Sequence, residues 1–514
     1  MANKTRTAYS VINSKVSLVF YFMNLVLEFV SRKVYIERLG TDVVGLNTTA
    51  YNMLGFLNLA ELGVGAAVAF TLYKPLFDRD VKSINEIVNL QGWLYRRIAG
   101  VIIVGAIILM SFFPLIFGDM TLPMWYSYAS FGVLLYSALL TYFINYKQIV
   151  LSADQKHYKI LFSYKAVLML GVGAQIVFIH FLEHGYIWWL VLQVVFPTFA
   201  AISLNRVIRR EYPFLGKSDD SGKTLAKKYP GIITKIKQVF FHKISGYVLL
   251  QTSPLVVYAF TSLEVVALYG NYLLINTGIR RLLDAVFGSI NASVGNLIAQ
   301  GDKEHIYSVF EELFSSRFVM VTSMCFSVFV LADSFINIWL GEEFILNHVI
   351  LGLLVYEMYI NVQRPIANAF TMGYGMYQDV WAACAEAVLN LGFSILLGYF
   401  FGLEGVICGV IISLFLIGEI WKPLFLYHWG FHISILKYVK MYVIHILIAA
   451  VVWTVCYLCY SSIFNPLTDS ILTFIISGAF ACGSFFILST AITALFVKAQ
   501  RQYLKRIKRV LIKK

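Results

Sequence analysis

Charged residues are scarce in this chain. They make up 13% of its 514 residues, whereas 59% are hydrophobic, and the mean hydropathy is +0.74. So few polar side chains could not cover a soluble particle of this size, and the composition therefore excludes a soluble multidomain protein. Apolar runs of about 20 residues, each long enough to cross the hydrocarbon core of a bilayer, recur along the chain. The sequence predicts an all-α integral membrane protein.

Cysteine and histidine are also rare, with six and nine copies. The cysteines lack the spacing of a secreted disulfide framework, and the histidines lack the spacing of a metal site. Ser221-Gly222-Lys223-Thr224 resembles the end of a phosphate-binding P-loop, but the position where that motif needs an earlier glycine is Lys217. No predicted outward loop is long enough to hold a catalytic domain. We therefore expect no metal, no cofactor, no catalytic residue and no enzymatic activity.

The apolar runs predict about 14 transmembrane helices. They lie near residues 16–34, 43–70, 94–117, 124–146, 160–182, 186–206, 241–262, 265–298, 314–340, 348–372, 378–400, 403–427, 437–460 and 468–497.

Basic residues follow the positive-inside pattern of a polytopic membrane protein. All but six of the 41 lysines and arginines fall in the N-terminus, in alternate connections between the predicted helices, or in the C-terminus. Because cytoplasmic connections keep their Lys and Arg, this pattern predicts both termini in the cytoplasm. The net charge of +13 is thus mainly a topology signal, and we expect no nucleic-acid partner. The basic tail would also attract anionic membrane lipids.

An internal repeat relates the two halves of the chain. Asp42–Leu46 resembles Glu264–Leu268 at an offset of 222 residues, and the same offset places Asp80 on Asp302. Such an offset spans an even number of predicted helices, so both copies would enter the membrane in the same direction. The repeat predicts two pseudo-symmetric six-helix lobes, which in transporters commonly enclose the substrate path.

This pattern divides the chain into five segments. We predict an N-terminal six-helix lobe over residues 1–206, a basic cytoplasmic linker over 207–240, a C-terminal six-helix lobe over 241–430, helices 13 and 14 over 431–497, and a basic cytoplasmic tail over 498–514.

Six basic residues break the topology pattern. They are Arg32, Lys33, Arg38, Arg280, Arg281 and Arg364. A cation at the centre of a transmembrane helix costs about 2.5–3.5 kcal/mol on insertion scales, so it usually faces a wet cavity or a counter-ion. All of them except Lys33 are candidate ligands of an anionic head group, such as a phosphate or pyrophosphate, in a cavity between the lobes.

Simpler explanations exist for five of these six cations. Arg280 and Asp284 have the i,i+4 spacing of a helix-face ion pair, and Arg364 lies two turns after Glu357. The cluster at the end of the first helix would reach the outer interface by snorkelling. Among the acids, Glu61 and Asp284 are candidate ion-coupling residues, and Glu61 could equally be a carboxylate bonded to a neighbour.

Four segments resemble the polysaccharide transporters, the Wzx-type O-antigen and capsule repeat-unit flippases of the multidrug/oligosaccharidyl-lipid/polysaccharide exporter (MOP) superfamily. They are Tyr35–Gly45 (YIERLGTDVVG), Asn58–Gly65 (NLAELGVG), Leu72–Pro75 (LYKP) and Asn145–Tyr158 (NYKQIVLSADQKHY). The resemblance extends over most of residues 10–430.

This resemblance implies a V-shaped, MATE-like protein of the bacterial plasma membrane. It would move an undecaprenyl-diphosphate-linked glycan to the outer leaflet, among membrane lipids and alongside a polysaccharide polymerase and chain-length machinery. In the similar lipid II flippases, arginines line the cavity and two extra helices make a groove for the lipid tail. The resemblance implies Arg32, Arg280 and Arg364 as head-group ligands here, and helices 13 and 14 as the groove.

Two other functions compete with this one. A multidrug or organic-cation antiporter of the same superfamily would use acidic cavity residues, for which Glu61, Asp284 and Glu386 are available. A membrane-embedded polysaccharide polymerase or glycosyltransferase would need a sizeable external loop or a dense acidic motif. The sequence has neither a sizeable external loop nor a dense acidic motif.

Overall fold

The structure is a computed structural model, which describes residues 6–61, 63–216, 218, 220–287, 294, 297–298, 300–376, 378–465, 467–468 and 470–512. Every regular element within these residues is helical, so the predicted all-α class is confirmed. The chain divides into two compact units, Met1–Ala267 and Leu268–Lys514.

The helices that matter for function are numbered here in chain order. Those of the first unit are α1 (Arg6–Leu39), α2 (Thr41–Leu57), α3 (Val64–Asp78), α4 (Val81–Ser111), α5 (Trp125–Phe143), α6 (His157–Phe181), α7 (Gly185–Glu211), α8 (Gly222–Lys228) and α9 (Pro230–Phe260). Helix α10 (Leu263–Phe287) begins in the first unit and ends in the second. The others are α11 (Lys303–Trp339), α12 (His348–Gln363), α13 (Pro365–Gly373), α14 (Val380–Leu414), α15 (Leu436–Ile463), α16 (Ile471–Phe496) and α17 (Lys498–Ile512).

Several helices suit a membrane. Among the described residues, seven are long and apolar enough to cross one, or eight if α5 and the bent continuation Asn145–Ala153 count as one span. Large apolar side chains such as Ile107 and Leu447 are more than 60% exposed, as expected where lipid is the solvent. These features indicate a multi-pass membrane protein. The count of 14 crossings and the cytoplasmic position of both termini stay predictions.

Predicted helices 11 and 12 form a tight hairpin. The backbone of Gly402 has φ 58° and ψ −131°, which only glycine adopts without strain, and it divides α14 into two halves. A Cβ at Gly409 would lie 2.3 Å from the backbone nitrogen of Ser394, and a Cβ at Gly405 would lie 2.0 Å from the carbonyl oxygen of Leu397. Residues after the turn therefore pack backbone to backbone on residues before it, which the Gly405/Gly409 spacing permits.

The internal repeat is visible in local structure. Asp80 caps α4 by accepting a hydrogen bond from the Ser83 backbone N–H at 3.1 Å, and Asp302 caps α11 by accepting one from His305 at 3.1 Å. A side-chain acceptor at this position satisfies one of the backbone donors left over at a helix start. The two helices thus begin in the same way, 222 residues apart.

A second match in the repeat concerns a helix end. The Gln155 and Lys156 N–H groups donate back to Ser152 and Leu151, and the Gly375 and Met376 N–H groups donate back to Met372 and Thr371. Gln155 and Gly375 both have positive φ, 58° and 67°. The two turns have the same hydrogen-bond pattern and lie 220 residues apart.

The predicted linker, residues 207–240, is mostly helical where the structure describes it. Ser221 caps α8 by accepting from the Thr224 N–H, and a Cβ at Gly222 would lie 2.1 Å from the Trp93 ring. The P-loop-like residues therefore start a helix that packs closely on α4. Lys228 donates to Glu86 of α4 at 2.7 Å, and this bond raises the pKa of Lys228. The five-segment division of the chain stays a prediction.

Candidate functional site

Two candidate residues lie where a helix is broken. Between α2 and α3 the chain makes a 3-10 turn, Asn58–Glu61, and then turns at Gly63 with φ 92°. Between α12 and α13 the interruption is at Arg364, which keeps a helical backbone, φ −60° and ψ −27°, and precedes Pro365. A proline has no N–H to donate, so it interrupts the helical hydrogen bonds. Broken transmembrane helices commonly form the ion and substrate sites of transporters, because their backbone and side-chain groups remain available for ligands.

Glu61 is the centre of a polar cluster in the first unit. Its carboxylate accepts a hydrogen bond from the Tyr95 hydroxyl at 2.7 Å and another from the Tyr142 hydroxyl at 3.0 Å. The Tyr142 hydroxyl is also 3.0 Å from the Asn58 side-chain oxygen. The cluster therefore presents carboxylate, amide and hydroxyl oxygens together, which suits a proton or a hard cation. Both possibilities for Glu61, an ion site and a carboxylate held by neighbours, fit this geometry.

Arg364 forms a buried ion pair in the second unit. Its Nη1 lies 2.5 Å from Oε1 of Glu386 on α14, and the two side chains are 20% and 2% exposed. The alternative pairing with Glu357 is therefore wrong. A Cβ at Gly418 would lie 3.4 Å from the Arg364 Cδ, so glycine there leaves room for the arginine side chain. An anionic ligand of Arg364 would compete with Glu386.

A second carboxylate lies close to this pair. Glu419 is 7% exposed, and the charge of Arg364 acts on it. The Tyr442 hydroxyl hydrogen-bonds to Glu419, and Tyr359 hydrogen-bonds to Tyr442. We call these five residues the Arg364 cluster: Arg364, Glu386, Glu419, Tyr359 and Tyr442. Sequence analysis missed Glu419 because its place near the end of a predicted helix resembled that of other interfacial charges.

Arg317 is a second buried cation that sequence analysis missed. The positive-inside count assigned it to a cytoplasmic connection, but it lies inside α11 and is 3% exposed. Its Nε donates to the Val362 carbonyl at 2.7 Å, at the last turn of α12. A cation at a helix C-terminus satisfies a leftover carbonyl and interacts favourably with the helix dipole. Arg317 therefore stabilises the helix end that carries Arg364.

Arg32 points into the first unit. Its Nη2 donates to the Ala267 carbonyl at 2.9 Å, and its Nη1 lies 3.4 Å from the Thr48 hydroxyl. Snorkelling to a lipid interface would instead leave the guanidinium exposed to water. The other two cations of this cluster behave differently. Lys33 forms a surface pair with Glu37 at 3.9 Å, and Arg38 is exposed on the last turn of α1.

Arg280 and Arg281 are neighbours on α10 with different surroundings. Arg280 is half-buried, and its charge acts on Glu357 of α12, whose carboxylate also accepts a hydrogen bond from Asn361 at 3.4 Å. Arg281 is exposed. The side chain of Asp284 lies outside the described residues, so its predicted pairing with Arg280 and its coupling role stay predictions. The structure thus places Arg280 and Arg364 near acidic partners in the second unit.

Ala153-Asp154-Gln155-Lys156, part of the segment Asn145–Tyr158 that resembles the polysaccharide transporters, has a structural role. Asp154 accepts from the Tyr212 hydroxyl at 2.7 Å and pairs with Lys156 at 2.8 Å. Asn13 of α1 donates to the Gln155 carbonyl at 2.7 Å. These bonds join the ends of α1, α6 and α7. The element therefore holds helices together, and it contributes no group to the candidate sites.

An apolar groove adjoins the Arg364 cluster. It has a volume of about 310 Å³ and is lined by α11, α12 and α15, including Phe318, Tyr356, Tyr359 and Trp453. Tyr359 belongs to both the groove and the cluster. Sequence analysis predicted a tail groove on helices 13 and 14. The structure places helix 13, here α15, at this groove, and no described residue of helix 14 lines it.

Comparisons with known proteins identify the fold. No protein-family model matches the chain, and no curated protein matches it. Among solved structures, the chain is similar to the lipid II flippase MurJ in an inward closed conformation, with a TM-score of 0.64 and 13% identity over 95% of this chain and 100% of that one.

It is also similar to multidrug transporters. An inward-facing multidrug resistance MATE family transporter of the MOP superfamily has a TM-score of 0.58 and 14% identity, over 80% of this chain and 97% of that one. A MATE protein in a bent conformation has a TM-score of 0.50 and 14% identity, over 82% of this chain and 95% of that one. The chain therefore shares the fold of these transporters and of the lipid II flippase. Membership of the polysaccharide transporter family stays a prediction.

Proposed function

We propose that this chain is a flippase. It moves an undecaprenyl-diphosphate-linked oligosaccharide repeat unit from the cytoplasmic to the outer leaflet of the bacterial plasma membrane by alternating access, for the synthesis of O-antigen, capsule or exopolysaccharide. The extent of the fold likeness carries this proposal. The lipid II flippase resembles 95% of this chain, whereas the inward-facing MATE transporter resembles 80%. The additional length favours a lipid-linked cargo over a small drug.

The head group is bound by arginine. Arg32 in the first unit and Arg280 and Arg364 in the second are the proposed ligands, because each is a half-buried guanidinium within an apolar protein. A guanidinium fork binds a phosphate through two parallel hydrogen bonds, which a lysine cannot do. At Arg364 the diphosphate would take the place of Glu386. The exposed Arg38 and Arg281 are weaker candidates, since water screens their charge.

The lipid tail lies in the apolar groove of the second unit. Phe318 and Trp453 line this groove, and Tyr359 connects it to the Arg364 cluster. A polyprenyl chain in the groove would therefore have its diphosphate near Arg364. Each buried methylene contributes about 0.8 kcal/mol, so a few isoprene units would hold the tail in place.

Charge movement favours export. A diphosphate with about two negative charges that leaves an inside-negative cell gains roughly 4.6 kcal/mol per 100 mV across the whole field. We propose Glu61 as the residue that couples transport to a proton or a cation, because two tyrosine hydroxyls contact its carboxylate and an amide oxygen lies beside one of these hydroxyls. A polysaccharide polymerase and chain-length machinery would receive the exported unit.

A strain that lacks this protein tests the proposal. Leaflet-resolved labelling of the lipid-linked sugar should find intermediates trapped on the cytoplasmic face, and the wild-type gene should restore their export. Arg364→Gln should fail to restore export and Arg364→Lys should restore it weakly. Arg501→Gln is the matched control, because it removes an exposed arginine from the same unit that is not a candidate ligand. Normal externalisation in the deletion strain would exclude a flippase.

An antiporter for organic cations is the second candidate. The likeness to MATE transporters and the intramembrane carboxylate Glu61 favour it. Normal externalisation of sugar together with increased drug sensitivity in the deletion strain would support the antiporter. A polymerase or glycosyltransferase would instead leave the lipid-linked unit on the outer face, where it would accumulate unpolymerised or incomplete.

A further inference from the structure

A basic pocket lies in the second unit, away from the Arg364 cluster. It has a volume of about 390 Å³ and is enclosed by the first turns of α11, the first turns of α15 and the junction of α16 with α17. At this junction Val497 has an extended backbone, φ −113° and ψ 115°, so α17 leaves in a new direction. The pocket is therefore a concave site made by three separate parts of the chain.

Three lysines line the pocket. Lys437 and Lys440 lie on α15, and Lys498 begins α17. Glu311 is the acidic residue among the described lining residues, and the charges of Lys437 and Lys498 both act on it. The pocket keeps a net positive charge, because three ammonium groups face one carboxylate. Lysine ammonium groups bind phosphate as point charges, so they suit a phosphate group in any orientation.

The walls of the pocket are held by buried hydrogen bonds. The Ser315 hydroxyl donates to the Gln500 side-chain oxygen at 3.0 Å and lies 2.9 Å from Nε2 of His445, while Nδ1 of His445 lies 2.7 Å from the Met441 carbonyl oxygen. Gln500 is 2% exposed and His445 is 1% exposed. This chain of bonds connects α11, α15 and α17. The C-terminal basic helix is therefore docked against the unit, and the backbone that carries the lysines is held in place.

A lipid-facing surface meets the pocket. Leu436 is 71% exposed and Val443 is 47% exposed on α15, and Leu495 and Phe496 are 72% and 73% exposed at the end of α16. Exposed apolar side chains beside lysines mark the boundary between acyl chains and head groups. The positive-inside rule puts these lysines at the cytoplasmic boundary. A molecule that fits both features has an apolar chain and a phosphate.

We propose that this pocket binds the phosphate of an anionic lipid in the cytoplasmic leaflet. Lys437, Lys440 and Lys498 contact the phosphate, and the acyl chains lie along Leu436 and Val443. A resident glycerophospholipid is the favoured source, because the pocket is built from α11 and α15–α17 and shares no residue with the Arg364 cluster. The proposal is independent of the flippase function, since a bound lipid would stabilise the docked α17 in any transporter.

Native mass spectrometry of the purified full-length protein tests the proposal. Dioleoyl phosphatidylglycerol should bind much more tightly than dioleoyl phosphatidylcholine, which has the same chains but no net charge. A lysine near a membrane surface contributes about 1 kcal/mol, or about fivefold in affinity. The triple variant Lys437→Gln, Lys440→Gln and Lys498→Gln should therefore lose about 100-fold, and salt should weaken wild-type binding.

Two variants serve as controls. The triple replacement by arginine, K437R/K440R/K498R, keeps the charges and should keep the binding. The triple variant Lys82→Gln, Lys223→Gln and Lys227→Gln removes the same charge from exposed positions of the first unit and should bind like wild type. Thermal unfolding should be measured for the glutamine variant and for both controls. If the arginine variant loses binding as the glutamine variant does, the substitutions disturb folding rather than charge.

Competition separates the sources of phosphate. Bound labelled phosphatidylglycerol can be displaced by undecaprenyl phosphate or by unlabelled phosphatidylglycerol. If undecaprenyl phosphate does so at the lower concentration, the pocket serves the polyprenyl carrier and the glycerophospholipid proposal fails. If inorganic phosphate at similar concentration displaces the lipid, the pocket is a free-phosphate site and the lipid proposal fails. Equal binding of phosphatidylcholine, or equal binding by the glutamine variant, would overturn it as well.

Discussion

The ion pair between Arg364 and Glu386 gives the sharpest prediction about energetics. The Glu386 side chain is 2% exposed and the Arg364 side chain is 20% exposed. If the pair is broken, the carboxylate is therefore more deeply buried than the guanidinium. Removing one partner of a buried pair costs about 3–5 kcal/mol, because the other charge stays buried without compensation. Arg364→Gln leaves Glu386 and Glu419 together without their cation, and we expect the full cost. Glu386→Gln leaves Arg364 partly solvated and near Glu419, and we expect about 1–2 kcal/mol.

A double-mutant cycle measures this asymmetry. The free energy of unfolding is compared in one detergent for wild type, Arg364→Gln, Glu386→Gln and the double variant, with Arg281→Gln as a control for loss of an exposed arginine. The double variant should be more stable than Arg364→Gln alone, since it removes the stranded Glu386 carboxylate. The reasoning is refuted if Arg364→Gln is as stable as wild type, or if the coupling energy is below about 0.5 kcal/mol.

Three further predictions concern other parts of the chain. Glu61→Gln should reduce transport in reconstituted vesicles by at least about tenfold and remove the dependence of transport on the ion gradient. Tyr95→Phe should retain that dependence. If transport by the Glu61→Gln protein still depends on the gradient, Glu61 is not the coupling residue. Asp154→Asn should lower the free energy of unfolding by roughly 1 kcal/mol, through a weaker bond to Tyr212, without changing the relative rate of transport by folded protein. Gly409→Ala should cost at least about 3 kcal/mol by forcing the hairpin apart, while Gly392→Ala, whose Cβ would meet no atom within 4 Å, should be neutral or slightly stabilising in thermal unfolding.

Much of the helical architecture could be predicted from the sequence. Length and hydropathy alone place the helices, since every predicted span overlaps a helix in the structure. The repeat aligns Asp80 with Asp302, and both cap a helix in the structure, because a cap depends on a few neighbouring residues. The hairpin at Gly402 was predicted as the gap between two apolar runs.

The partners of the buried charges could not be predicted in this way. Arg364 pairs with a residue 22 positions away on another helix, whereas sequence spacing suggests Glu357, two turns earlier in the chain. Arg317 was counted as a topology residue, because the positive-inside rule counts charges and says nothing about which way a side chain points. Both errors arise because tertiary packing decides such contacts. The helix breaks at Asn58–Glu61 and Arg364 were missed for a related reason, since the apolar pattern continues through them.

Reconstitution tests the central claim most directly. Purified protein is inserted into vesicles that carry a labelled undecaprenyl-diphosphate-linked oligosaccharide, and a membrane-impermeant reagent that modifies the sugar reports the fraction on the accessible leaflet over time. We predict that wild-type protein makes the inaccessible fraction accessible, faster under an imposed membrane potential of the correct sign, and that Arg364→Gln does not. An inaccessible fraction that stays constant with folded wild-type protein would contradict the proposed flippase function.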